Sequence, residues 1–227
     1  MHDALKRISW DALSGPHRAF SMGNPTVRRY SQGFAALVGL PDPDNLDLDA
    51  LRALSRVGEQ LFVPGWSKPP DSGWRIDFEA TLHQMVWNRP SPRSGATPDG
   101  LRLDSEHIAE ALTLMDLTQP GPFGPRTLEL GEYFGIFEGP TLIAMAGERM
   151  FNGTLREISG VCTHPEYRGQ GLARRLVSTL IDRALRRQEI PFLHVLSTNR
   201  PALDLYQRMG FLNVQEILMR VISRASD

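Results

Sequence analysis

Cysteine is nearly absent from this chain: one residue in 227, Cys162. An internal disulfide is therefore excluded, and a lone thiol fits a reducing compartment, so a cytoplasmic location is expected. Long apolar runs are missing too. None approaches the roughly 20 residues that a membrane span needs. Met1-His2-Asp3-Ala4-Leu5-Lys6-Arg7 is not followed by the apolar core of a secretory leader, so neither membrane insertion nor export is expected. Charge of one sign is not in excess. Twenty-five Lys and Arg against 26 Asp and Glu leave −1, which argues against a chain built to bind nucleic acid or another polyanion. The six histidines (His2, His17, His83, His107, His164, His194) are scattered, with no pair at metal-ligand spacing, so no metal site is expected. With 41% hydrophobic and 22% charged residues, the chain can bury a sizeable core in one large domain or two small ones.

The stretch with the most information runs from Glu157 to Leu176. Ile158, Val161, Cys162 and Thr163 read as a strand that ends at His164-Pro165, where proline cannot continue a ladder. Leu172, Leu176, Leu180, Ile181, Ala184 and Leu185 then form one stripe of an amphipathic helix. Between strand and helix lies Arg168-Gly169-Gln170-Gly171. Glycines let backbone approach a ligand closely, and a helix N-terminus offers free N–H groups and a positive dipole end. Arg168, Arg174 and Arg175 oppose that dipole by about 0.3–1 kcal/mol each, which a purely structural helix start would avoid. Three arginines beside a glycine-rich turn predict an anionic ligand, and the turn reads as a phosphate cradle.

Before this stretch the pattern is mixed. Leu48 to Val57 reads as a helix capped by Asp47. Glu59 to Val63 and Trp74 to Phe78 read as short strands, joined by the Pro/Gly-rich segment 64–73. Trp66 and Trp74 suit a core better than a ligand box, and residues 1–87 hold no catalytic pattern. The Pro, Gly and Ser residues between Asn88 and Gly100 mark the clearest break in composition. They place an expected boundary between an N-terminal α+β region, 1–97, and a second domain, 98–227.

Beyond the break the elements become regular. Leu101 to Leu103 is a short strand, and Asp104 or Ser105 caps a helix with the stripe Ile108, Leu112 and Met115. Tyr133 to Phe137 and Thr141 to Ala146 are strands joined by a hairpin at Glu138-Gly139-Pro140. Asn152-Gly153 turns into the strand that ends at Thr163. Phe192 to Leu196 is the next strand, expected parallel to the one before the cradle because a helix intervenes. Asn199 and Pro201 start a helix with Ala202, Leu205, Tyr206 and Met209 on one face. Gly210 ends it, and an antiparallel pair of strands is expected over Phe211 to Ile222.

Two signatures in this order resemble one family. Arg168-Gly169-Gln170-Gly171-Leu172-Ala173 matches the Arg/Gln-x-x-Gly-x-Gly/Ala motif of the GNAT superfamily, the acyl-CoA-dependent N-acyltransferases. Asn199 and Tyr206, seven apart and followed by Gly210-Phe211, match its second signature. The resemblance covers about residues 100–222. It implies an α/β GNAT fold, with a mixed, mostly antiparallel twisted sheet flanked by helices. The layout is similar to acyltransferases in which a degenerate N-terminal half precedes the catalytic half. The resemblance also implies that Arg168, Gly169, Gln170, Gly171, Leu172, Ala173 and Arg174 hold the pyrophosphate of acetyl-CoA. Val161, Cys162 and Thr163 would pair their backbone with the pantetheine arm and acetyl group, and Asn199 would cap its helix, touch that arm, or both. The usual second helix is replaced by the Pro/Gly loop Thr118 to Arg126, which reads either as a rigid connector or as a wall of the acceptor pocket.

The implied reaction is attack of a neutral amine on an acyl thioester in a ternary complex. It needs a base for the amine, donors for the oxyanion and an acid for the departing thiolate. Backbone N–H groups near Val161 to Thr163 suit the oxyanion, and the resemblance gives the acid to Tyr206. Two residues compete for the base: Glu157, expected on one face with Ser159 and Val161 by alternation, and His194 on the neighbouring strand. Cys162 reads as a small buried residue rather than a nucleophile. The expected partners are acetyl-CoA and an amine acceptor, and a homodimer is left open. A non-catalytic acyl-CoA-binding regulatory module is the alternative, disfavoured by the presence of Tyr206, Glu157 and His194. A dinucleotide-binding domain is disfavoured because the third glycine is missing and no acidic residue ends the next strand.

Overall fold

The structure is a computed structural model, and it describes residues 1–91 and 100–225. Two short helices, α1 (His2–Lys6) and α2 (Ile8–Ser14), open the chain. A small antiparallel sheet follows: β1 (Ser21–Gly23), β2 (Arg28–Tyr30) and β3 (Val38–Gly39). Next come α3 (Leu48–Ala53), β4 (Leu61–Pro64) and β5 (Trp74–Trp87). The remaining elements are β6 (Leu101–Leu103), α4 (Ile108–Thr118), β7 (Tyr133–Glu138), β8 (Thr141–Phe151), β9 (Leu155–Thr163), α5 (Leu172–Arg186), β10 (Ile190–Leu196), α6 (Arg200–Met209) and β11 (Phe211–Arg224). No helix among the described residues is long and apolar enough to cross a membrane.

Eight strands form the main sheet in the order β4-β11-β5-β10-β9-β8-β7-β6. β9 and β10 are parallel and the other neighbouring strands antiparallel, the mixed, mostly antiparallel arrangement expected. The boundary expected between residues 97 and 98 lies outside the described residues. On either side of it the chain shares this sheet: β5 lies between β10 and β11. The N-terminal part therefore contributes a central strand to the layer that carries the cradle.

Several local expectations need correction. The helix from Leu48 ends at Ala53, four residues short of Val57, with Asp47 accepting from the Ala50 N–H at its start. The strand from Trp74 runs on to Trp87 instead of stopping at Phe78. Polar residues such as His83 and Gln84 hide its period, yet Gln84 is completely buried because its amide is fully used. The expected strand pair over Phe211 to Ile222 is one strand of 14 residues, β11, paired with both β4 and β5. No Gly, Pro or Asn-Gly breaks Phe211 to Ile222, so nothing turns the chain; register shifts at Asn213/Gln215 and Val221/Ile222 absorb the curvature. α1 and α2 were not foreseen at all.

Helices cover both faces of the sheet. α5 and α6 bury Leu172, Leu176, Leu180, Ile181 and Tyr206 against Ile158, Leu193 and Val195. Trp66 and Trp74 are buried in a third cluster with Leu51, Leu61 and Ile222, as core residues. On the opposite face, Leu5, Ile8, Leu13, Tyr30 and Phe34 from the N-terminal part cover Leu155 and Phe192. Phe192 has no exposed surface. Replacing it by Ala should cost about 3–5 kcal/mol, the usual range for a buried phenylalanine. Urea denaturation checks this; an unchanged midpoint would mean that the N-terminal cover does not hold this face.

Candidate active site

The cradle forms between β9 and α5. His164 caps a short 3-10 turn, Pro165–Tyr167, and Arg168 returns its Nε to the Thr163 carbonyl at 3.4 Å. Gly169 and Gly171 have φ of +80° and +77°, values that L side chains rarely adopt, and a Cβ at either would stand in open space. The turn is thus left-handed at both glycines, and among the described residues nothing lies within 4 Å of where a Cβ on either would stand. α5 starts at Gly171 without a side-chain cap and without an acidic residue in its first turn. Its first N–H groups lack helical partners. Arg168, Gly169, Gln170, Gly171, Arg174 and Arg175 are exposed, Ala173 is half-buried, and Leu172 anchors the turn in the core.

The strand before the turn is built to separate from its neighbour. β9 and β10 pair from Leu155/Ile190 to Ile158/Leu193 and no further. On the other side β9 keeps its partner β8 through Ala144/Thr163, and the His164 N–H donates to the Ile143 carbonyl. By strand alternation the N–H groups of Val161 and Thr163 then face the open side. Gly160 has φ of +61°, and the register with β8 shifts beside it. This kink corrects the alternation expected for the strand: Val161 packs with the α5/α6 cluster, while Cys162 turns to the cluster under α4. Val161 therefore does not share a face with Glu157.

Tyr206 lies on α6, buried, with its ring edge-on to Phe211 at 5.8 Å. Its hydroxyl has no hydrogen-bond partner among the described residues. Burial, and then the neighbouring Cys162, push its pKa well above the ordinary phenol value, so it stays protonated. Burial raises the Cys162 thiol to about 11, and a protonated thiol is a poor nucleophile, which agrees with its reading as a packing residue. Asn199 caps α6 through the Ala202 N–H at 3.3 Å.

The two candidates for the base are brought into direct contact. His194 Nδ1 lies 2.8 Å from Glu157 Oε1. Glu157 is 1% exposed and also takes both arms of the Arg149 guanidinium, at 2.7 and 2.9 Å, and the Met150 N–H at 3.3 Å. Burial alone would raise its pKa, but Arg149 overrides this and, with His194, holds it well below the usual carboxylate range. An ionised Glu157 requires the proton on His194 Nδ1. Nε2 then accepts from the Gln84 amide at 2.8 Å, an assignment that follows from the hydrogen-bond network, since Gln84 also donates to the Leu5 carbonyl. Arg149 and Gln84 were missed in the sequence. The one available signal was Glu148-Arg149 interrupting an otherwise apolar strand.

The Pro/Gly loop after α4 contains no second helix, and a 3-10 turn at Thr127–Leu130 follows it. Arg126 fixes the loop to the N-terminal part: its N–H donates to the Gly33 carbonyl at 2.8 Å and its guanidinium lies 4.4 Å over the Phe34 ring.

Comparisons with known proteins bear on the family and the fold. The sequence model of the GNAT acetyltransferase family matches residues 108–211. The crystal structure of a GNAT-family protein from Novosphingobium aromaticivorans superposes with a TM-score of 0.88 at 30% identity, covering 98% of this chain and 99% of that one. The chain belongs to the GNAT acetyltransferase family, whose acyl donor is acetyl-CoA. The N-alpha-acetyltransferase RimI of Mycobacterium tuberculosis is 35% identical over 85 residues, 36% of this chain and 52% of that protein, so the match spans about half the length of that relative. A GCN5-related N-acetyltransferase from Kribbella flavida shares the fold at 16% identity and a TM-score of 0.61.

The Arg149–Glu157 pair has a consequence for acid stability. Because the folded pKa of Glu157 is depressed, its contribution is fully present above the ordinary value near 4.5 and is lost as pH falls through the lower folded value. Folding free energy should therefore decline below about pH 4.5. The decline should be shallower in the double variant Arg149→Met, Glu157→Gln. Denaturant titrations at several pH values check this, and parallel declines would remove the pair from the account.

Proposed function

We propose that the protein transfers an acetyl group from acetyl-CoA to a primary amine by direct attack in a ternary complex. The observation that carries this reading is the separation of β9 from β10 beside an open, left-handed glycine turn. The residues present fit acetyl-CoA. Gly169 to Ala173 offer unoccupied N–H groups at a positive helix end, with Arg168 and Arg174 beside them for the pyrophosphate. The free edge of Val161 to Thr163 suits the amide-rich pantetheine arm, and one of its N–H groups suits the developing oxyanion. When bound, acetyl-CoA supplies the acyl group as an activated thioester.

Tyr206 is the proton donor to the sulfur that leaves. Burial keeps its hydroxyl protonated, and it has no hydrogen-bond partner among the described residues. Of the two base candidates, the reading favours His194, with Glu157 orienting it. A carboxylate held ionised by Arg149 is a weak proton acceptor, whereas His194 Nε2 keeps a lone pair. To take the proton of the amine, Nε2 must exchange the Gln84 donor for the amine or a water. The local likeness to an N-alpha-acetyltransferase supports testing α-amino groups first among the acceptors.

Replacing Gly171 by Val fills the open space over the turn and forces a β-branched residue to φ near +77°. Calorimetry should show a large loss of acetyl-CoA affinity, and unchanged affinity would place the pyrophosphate elsewhere. Tyr206→Phe should keep acetyl-CoA affinity and lower turnover by roughly 10²- to 10⁴-fold. Wild-type turnover in that variant would show that the thiolate leaves without it.

A further inference from the structure

A second tyrosine lies under α4, against the kinked end of β9. Tyr133 on β7 is 1% exposed, and its hydroxyl is buried without a hydrogen-bond partner among the described residues. Buried hydroxyls are nearly always paired, because leaving one unpaired costs free energy. The ring occupies the space that a Cβ on Gly147 of β8 would need. Its Cε1 lies 3.4 Å from where a Cβ on Gly160 would stand. The ring thus spans β8 and carries its hydroxyl toward the kinked end of β9. Phe123 of the Pro/Gly loop packs edge-on against it at 5.8 Å.

The register shows what lies in that direction. Tyr133, Gly147 and Ser159 are cross-strand partners in β7, β8 and β9. His194, Gln84 and Gln215 are partners in β10, β5 and β11. Ser159 and His194 each follow the last paired residues of the parallel ladder, Ile158 and Leu193, so both triplets stand at one level of the sheet. The opening between β9 and β10 is the break in this row. The Gln215 amide donates to Gln84 Oε1, and His194 bonds Glu157 and Gln84. Tyr133 has no such partner. Arg149 and Glu157 act on it electrostatically, and burial keeps it protonated, so it can donate one hydrogen bond and accept another.

We propose that the Tyr133 hydroxyl is a hydrogen-bond partner of the acceptor amine, held at the opening between β9 and β10. The proposal rests on the acetyl-transfer reading. An amine that attacks through its lone pair turns its N–H bonds away from the thioester, and those bonds need acceptors. Tyr133 Oη supplies one from the β7 side, opposite His194. This assigns the acceptor site to the face covered by α4 and the Pro/Gly loop. It also accounts for Gly147, where any side chain would displace the ring.

The test compares wild type with Tyr133→Phe, which preserves the ring. With the amine varied at saturating acetyl-CoA, KM for the amine should rise on the order of ten-fold, the effect of one lost hydrogen bond. Calorimetric affinity for CoA should be unchanged, and the thermal midpoint should not fall, since no satisfied bond is removed. An unchanged amine KM overturns the proposal. A lowered thermal midpoint with unchanged KM also overturns it, because the hydroxyl would then be held by a buried structural water. If wild type acetylates no amine in a broad panel, acetyl transfer itself fails. The proposal is then decided by amine binding to the CoA-loaded protein: weaker binding by Tyr133→Phe supports it, and equal or absent binding overturns it.

Discussion

The rest of the structure depends on the separation of two parallel strands after four paired residues. β9 and β10 are central strands, and central strands do not ordinarily leave backbone N–H groups without partners. Two features produce the opening here. Gly160 adopts a left-handed conformation and shifts the register with β8. Just before it, Glu157 ties β8, β9 and β10 together through Arg149 and His194. The sheet is locked on one side of Ile158/Leu193 and open on the other. The glycine turn follows the free strand edge, and Tyr206 packs in the α5/α6 cluster on one face of these strands.

The lock also ties the N-terminal part to this opening. His194 is held by Gln84 of β5, Gln84 by the Leu5 carbonyl and Gln215, and Gln215 by the His2 carbonyl. Those bonds run from the opening out to the first helix. The face they cross is covered by Tyr30, Phe34 and Leu37, and the Pro/Gly loop is fixed to Gly33 and Phe34. Breaking the buried Arg149–Glu157 pair would leave an uncompensated charge, which commonly costs about 3–5 kcal/mol. The network is therefore a strong constraint on where β10 can lie.

The parts of the site that were legible in sequence are those made by local chain. The Gly169/Gly171 turn, the Asn199 cap and the stripe that turns Tyr206 inward each depend on residues within about ten positions. Most strands and helices of the second half are legible for the same reason; β11 is the exception, expected as an antiparallel pair and found as one strand. The parts that were not legible depend on distant pairings. His83 and Gln84 break the apolar pattern of β5, and only partners on β10 and β11 make Gln84 a core residue. Glu157 and His194 were read as rivals for one role because their separation of 37 residues conceals a 2.8 Å contact. Nothing in the spacing pointed to Arg149, which decides that Glu157 stays ionised. The kink at Gly160 reversed the face of Val161, since alternation cannot foresee a bulge.

The central claim is that the opening between β9 and β10 is where the acyl donor lies. Amide hydrogen exchange, followed by peptide mass spectrometry with and without acetyl-CoA, tests it most directly. The account predicts that ligand slows exchange in two segments, residues 159–175 and 193–197, with little change in the small sheet of β1 to β3. Slowed exchange confined to other segments, with these two unchanged under saturating acetyl-CoA, would contradict it.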